Sequence, residues 1–295
     1  MTTMASPGGP RTAPGKRRRS KTVRRLVIAL VVLVGLLVIA DFAAAAIFEH
    51  EVSKRARTQL GLADDPSVDV HGFSFLLQAL SGEYDQVSVD AKGVPVKDTL
   101  RDVEVRAELF GVQAPLGDLI SGNAQAVSVD KVDGVVSIKA SDVSRALAKN
   151  ENSQIKAITQ VSIDPISELE ATSPKPLTEA ELPKGQKDPE DTKAGARICG
   201  TIDIAGQSTD ICAYGLVQLT GKSIGFAPNR IGIRNALTSG SLPPSIQSAV
   251  AKVLTFTQDP GALPFKVTPT AVSVEPGVLS VRGRADRVKL TGAAG

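Results

Sequence analysis

Val87-Ser88-Val89-Asp90-Ala91-Lys92, followed by Asp102-Val103-Glu104-Val105-Arg106-Ala107-Glu108-Leu109, is the stretch that decides the fold. Val87, Val89 and Ala91 alternate with Ser88, Asp90 and Lys92, and Val103, Val105, Ala107 and Leu109 alternate with three acids and an arginine. Successive side chains on a strand point to opposite faces, so each segment reads as a strand with one dry and one wet side. That is the signature of a half-buried antiparallel sheet. The continuous apolar strands of a doubly wound nucleotide-binding fold look different.

Upstream, Phe73-Ser74-Phe75-Leu76-Leu77-Gln78-Ala79-Leu80 lies between Gly72 and Gly82 and reads as a short apolar helix, preceded by a strand carrying Val68 and Val70. Residues 48–62 read as an amphipathic helix stopped by Gly61 and Asp64-Asp65-Pro66. Before it, every residue from Leu26 to Ala40 is apolar or Gly, and after Asp41 the run continues to Phe48. At about 1.5 Å per residue this spans roughly 30 Å, the thickness of a hydrocarbon core. The expected organisation is a basic cytoplasmic tail (1–25), a transmembrane anchor or signal sequence (26–48) and an exported domain (49–290). Ala43-Ala44-Ala45-Ala46 would suit a signal peptidase, whereas the stripe Phe48, Val52, Ala56, Leu60 continues the helix past the membrane.

Downstream, the pattern predicts a helix at 115–121 and strands at 125–131 and 135–140 joined by a hairpin at Asp133-Gly134. Ser141 stands as an N-cap with Asp142 in the first turn of a helix to about Lys149, and a strand follows near 155–164. Residues 172–196 carry four prolines among polar residues and read as a disordered insertion. Beyond them come strands near 197–204, 209–219 and 222–227, a helix after Pro243-Pro244, and strands near 265–274 and 278–290. The order strands, helix, strands thus occurs twice. If Ile204 and Gln207 flank a tight turn, Cys199 faces Cys212 in a non-hydrogen-bonded pair, where side chains come closest, which suits a disulfide in an oxidising compartment.

Several functions lack the residues they need. Aromatic content is 3% with no Trp, so stacking platforms for nucleic acid are missing. The net charge of +3 is concentrated at the start: residues 1–25 hold eight Lys or Arg, and 34 less these eight leaves 26 basic against 31 acidic, a balance of −5. A mildly acidic domain lacks the footprint of a nucleic-acid binder. Two Cys and two distant His (His50, His71) do not make a metal site, and no cofactor motif is present. No nucleophile signature accompanies His71, and Glu83 and Asp85 read as ordinary acids at a strand start. Binding without catalysis is the expectation.

Three stretches in order carry a resemblance: Ala40-Asp41-Phe42; Val68-Asp69-Val70-His71-Gly72-Phe73-Ser74-Phe75-Leu76; and Gly82-Glu83-Tyr84-Asp85-Gln86-Val87-Ser88-Val89. With Ala140-Ser141-Asp142-Val143, Leu263-Pro264-Phe265-Lys266-Val267 and Gly277-Val278-Leu279-Ser280-Val281, the chain resembles the LmeA-type phospholipid-binding family of actinobacteria over most of 40–290. The resemblance implies an envelope protein that binds phospholipid and supports mannan elongation on lipoglycans. It also implies an α+β fold in which a curved antiparallel sheet wraps a long helix, as in tubular lipid-binding domains. On that basis Phe73, Phe75, Leu76, Leu77 and Leu80 are expected at the mouth of an apolar groove lined by Val87, Val89, Val103, Val105 and Leu109. The partners are phospholipid and membrane, with an envelope glycosyltransferase possible. Two alternatives are a scaffold for such a glycosyltransferase, and a carbohydrate-active enzyme whose pocket would gather several carboxylates.

Overall fold

A computed structural model of the chain describes residues 21–96, 100–121, 127–148, 158–176, 191–204, 206–221, 223–234, 242–258 and 267–289. The chain divides into two compact units, Met1–Ala43 and Ala44–Gly295. The described part of the first is helical. Helix α1, Lys21–Leu60, is long and apolar enough to cross a membrane, a property that signal sequences near an N-terminus share. It stops where Gly61 takes a positive φ of 63°.

From Ala44 onward the unit is α+β with two antiparallel sheets. Numbered in chain order, the first sheet runs β1 (Ser67–His71), β2 (Glu83–Val96), β3 (Leu100–Gln113), β4 (Ser128–Lys139), β11 (Val278–Lys289), β10 (Thr268–Glu275). The second runs β5 (Thr159–Ile166), β6 (Lys193–Ile204), β7 (Gln207–Thr220), β8 (Ser223–Ile233), β9 (Phe256–Gln258). The remaining helices are α2 (Phe75–Ser81), α3 (Leu116–Ser121), α4 (Ala140–Ala148), α5 (Glu168–Thr172) and α6 (Pro244–Leu254). The alternation in β2 and β3 is realised as a ladder: Val87 faces Leu109, Val89 faces Ala107, and Ala91 faces Val105.

Four expectations are corrected. Asp133-Gly134 is not a hairpin turn but the middle of β4, because ladders on both sides hold the strand extended: Ala107 pairs with Gly134, and Gly134 with Gly283. Gly134 does not take the positive φ that a tight turn requires. Helix α4 begins at Ala140, so Ser141 lies inside it. The anchoring side chain is Asp142, fully buried, which accepts the backbone N–H groups of Arg101 (2.9 Å) and Asp102 (3.0 Å) and a guanidinium hydrogen bond from Arg145.

Within the stretch 172–196, β6 already starts at Lys193, because Ala194 and Ala196 are buried; residues 177–190 lie outside the described residues. Finally, the two halves of the chain do not each build a sheet. The C-terminal hairpin β10–β11 returns to the first sheet and lies beside β4.

Two apolar cores result. One joins Ile163, Ile202, Ile211, Val217 and Phe226 of the second sheet to Val250 and Leu254 of α6 and to Val272, Val274 and Leu279 of the C-terminal hairpin. The other gathers Phe75, Ala79, Tyr84, Val112, Val129 and Val288, with Ala44, Ala45 and Phe48 of α1 packed against it. The end of α1 is tied to β1 by two side chains: Glu49 accepts the Val70 N–H at 2.9 Å, and buried Ser53 donates to the Pro66 carbonyl.

Cys199 faces Cys212 across β6 and β7 and the two are disulfide-bonded. Both are buried although they lie on the strand face opposite Ile202 and Ile211. Ile204 does pair with Gln207, while Ala205 lies outside the described residues. Peptide mapping of the full chain without reductant should find Cys199 joined to Cys212, and reduction should lower stability by about 3 kcal/mol, the scale for a short closed loop. Free thiols in the full chain isolated without reductant would reject the cross-link.

Candidate functional site

The dry face of the first sheet is covered at both ends and open between them. Toward α2, Val87, Leu109 and Val132 pack against the core that holds Phe75 and Tyr84. Toward the second sheet, Val281 packs against the other core. Among the described residues neither core includes Val89, Val105, Ala107 or Val136, and Val136 is 39% exposed.

The register shows what kind of surface this is. One row across three strands is Val105, Val136, Val281, and a second, four residues away, is Leu109, Val132, Ala285. Four strand residues span about 13 Å. The row between them is Ala107, Gly134, Gly283, which carries a single β-carbon. A Cβ built on Gly134 would meet nothing nearer than the Arg106 carbonyl oxygen at 3.6 Å, so the space above it is open. On Gly283 it would lie 2.7 Å from Val267 Cγ1, so that end is stoppered. The arrangement is a trough with Val105, Val136 and Val281 along one wall, Leu109, Val132 and Ala285 along the other, and backbone for a floor, so both walls are apolar.

Helix α2 borders the covered end. Its inner face buries Phe75, Gln78 and Ala79, its outer face leaves Leu77 63% and Leu80 82% exposed, and Phe73, in the bend just before the Ser74 cap, is 90% exposed. The exposure is held in place from beneath. Phe75 packs on Phe48 at 5.1 Å and on Tyr84 at 6.4 Å between ring centroids. The buried Gln78 amide donates to the His71 carbonyl and accepts the Asp85 N–H at 2.9 Å. At the helix end, Gly82 takes the left-handed conformation and its N–H closes on the Gln78 carbonyl at 2.8 Å. The Tyr84 hydroxyl has no hydrogen-bond partner among the described residues, and burial pushes its pKa up, so it keeps its proton.

The opposite, wet face carries a cleft of about 1000 Å³ lined by Asp64, Asp65, Asp69, Asp90, Glu108 and Asp133, by Lys92, Arg106, Arg282 and Arg284, and also by Val89, Ala107, Gly134 and Gly283 of the same strands. Carboxylates do gather here, but three of the six are ion-paired: Asp90 with Arg106, Asp65 with Arg57, and Asp133 with Lys131 and Arg284. Burial raises the Asp133 carboxyl, yet the hydrogen bonds from Arg284 and Lys131 outweigh it and hold its pKa below the usual carboxylate range. A carboxylate held in that way carries no proton to give at neutral pH.

Of the residues expected at an apolar groove, the structure leaves Phe73, Leu76, Leu77 and Leu80 exposed and Val87, Val89, Val105 and Leu109 half-buried on one sheet face. Phe75 and Val103 are buried. Sequence reasoning missed Phe48, Tyr84, Ala107, Gly134 and Val136. The last two were hidden by the hairpin assignment, although Val129, Val132 and Val136 already hinted at a longer strand. No group of three or more His, Cys, Asp or Glu that could hold a metal occurs among the described residues.

A family model described as LmeA-like phospholipid-binding matches residues 39–284. No curated protein and no solved structure matches the chain. The geometry separates two kinds of phenylalanine and leucine. Phe75→Ala should destabilise the full chain by about 3–5 kcal/mol, whereas Leu80→Ser should change stability by no more than about 0.5 kcal/mol. Denaturant titration distinguishes these, and comparable losses in the two variants would contradict the burial described for α2.

Proposed function

Because this chain belongs to the LmeA-like phospholipid-binding family, we propose that it is a membrane-anchored envelope protein that seats one acyl chain of a phospholipid in the Ala107–Gly134 trough and performs no chemistry on it. The observation that carries this is the row of small residues between two valine walls, open above Gly134 and uncovered by either core. Between Val89 on β2, which faces Ala107, and Val267, which fills the space over Gly283 on β11, the open floor is β3 and β4, about 10 Å of sheet at roughly 4.8 Å per strand. Burying even four CH₂ groups there contributes about 3 kcal/mol.

In this reading the expected groove keeps its parts with altered roles. Val87, Val89, Val105 and Leu109 wall the trough; Phe75 and Val103 brace it from inside; Phe73, Leu76, Leu77 and Leu80 stand at its mouth. The first sheet and the part of α1 beyond Ala44 would act as the curved sheet and long helix of a tubular lipid-binding domain. The basic segment before Leu26 stays cytoplasmic and the sheets lie outside the cell, where the Cys199–Cys212 bond persists. The bound lipid would serve lipoglycan (mannan) upkeep beside an envelope glycosyltransferase; the support for that step is the sequence resemblance alone.

The test is to fill the trough. Gly134 sits at an extended position that accepts a side chain, so Gly134→Val, alone and with Ala107→Leu, should leave the melting temperature of the full chain unchanged or raised. Phospholipid retained on the detergent-purified protein, counted by mass spectrometry, should fall about tenfold, the effect of losing contact with two CH₂ groups. A folded variant that keeps its full lipid complement would sink the trough as the site. Turnover of the retained lipid, or release of sugar from added lipoglycan, would overturn the non-catalytic part.

A further inference from the structure

We propose that the outer face of α2 is a membrane-insertion element: Phe73, Leu77 and Leu80 are immersed in the bilayer leaflet in which the apolar run of α1 ends. Leu77 and Leu80 lie three apart on one side of α2 and Phe73 stands in the bend just before its Ser74 cap, and the three are 63%, 82% and 90% exposed. A soluble surface rarely collects three such side chains around one short helix. Nor are they turned out by slack in the chain, since Phe75, Gln78 and Gly82 fix the helix from below.

The occupant follows from where the neighbouring chain lies. Phe75 packs on Phe48, and Ala44 and Ala45 pack against the core that contains Phe75 and Ala79. A crossing of about 20 residues that starts at Leu26 finishes near Ala45. The segment resting on Ala44, Ala45 and Phe48 is therefore at the depth of the membrane surface, with its apolar side turned outward. The chain from His71 to Ala91 contains no Lys or Arg to pair with anionic headgroups. The element binds by apolar burial and is indifferent to lipid charge and to salt.

The proposal rests on the anchored reading above and is independent of whether the trough holds lipid. To test it, Leu80→Cys is introduced into the full chain and labelled without reductant with an environment-sensitive nitrobenzoxadiazole maleimide, leaving the Cys199–Cys212 bond closed. Thr220→Cys, an exposed site on the second sheet, serves as the control. In phosphatidylcholine vesicles the Leu80 label should be quenched at least threefold more by shallow spin-labelled lipid than the Thr220 label, and shielded from iodide. Neither result should change in high salt or with a third of the lipid anionic.

A vesicle-bound chain whose Leu80 label is as open to iodide as the Thr220 label overturns insertion and leaves the anchored reading standing. Shielding that scales with protein-to-lipid ratio identifies a second copy as the occupant, and equally overturns it. A chain that fails to stay with the vesicles at all overturns the anchored reading and insertion together. Phe73→Ser with Leu77→Ser should abolish the excess lipid quenching at Leu80 in a chain that remains folded.

Discussion

Everything in the unit from Ala44 onward depends on the two-sidedness of the six-stranded sheet. On the wet face, charges are tied across strands: Arg106 to Asp90 at 2.8 Å, Lys139 to Glu104 at 2.8 Å, and Arg284 to Asp133 at 2.7 Å. The hydrogen bond from Lys139 lowers the Glu104 pKa, so that face stays ionised and hydrated. Individually such exposed pairs add little stability. Collectively they decide which face can be covered, because burying that many charges would cost far more than burying valines returns. Apolar elements can therefore collect on one side only, and they arrive from two ends. Helix α2 and the end of α1 cover one end, and the second sheet with α6 covers the other. The open strip is what neither end reaches.

That much was legible from the alternation in residues 87–92 and 102–109, because period-two patterning reports directly which side of a strand is dry. The Cys199–Cys212 pairing was legible for a related reason. A hairpin register is a count outward from one turn, and the count survives uncertainty about the turn itself. What could not be read is which strand lies beside which when the pairing is distant. Nothing local in Val278–Lys289 says that it will pair with Ser128–Lys139, and with that ladder missing, the second half of the chain looked like a copy of the first. The partners of Asp142 were out of reach for the same reason. An acid in the first turn of a helix normally answers the helix dipole, and only the tertiary position of Arg101 and Asp102 makes this one a buried acceptor for another strand.

Gly134 shows how far a site can hide behind a sound local rule. Asp-Gly between alternating valines is the strongest short-range hairpin signal, since glycine accepts the positive φ of a tight turn at no steric cost. The same absence of a side chain has a second use when a strand is paired on both sides: it removes one knob from an otherwise continuous apolar face. Turn and trough thus draw on the same residue, and the neighbours decide between them. Ala107 on one side repeats the deletion in register and widens the gap over a second strand, while on the other side the space over Gly283 is filled by Val267. Natural strands pay a propensity cost for interior glycine. Gly134 and Ala107, side by side where that apolar face is uncovered, are therefore hard to explain as sheet stabilisation. They are readily explained as room kept for a guest with no polar groups of its own.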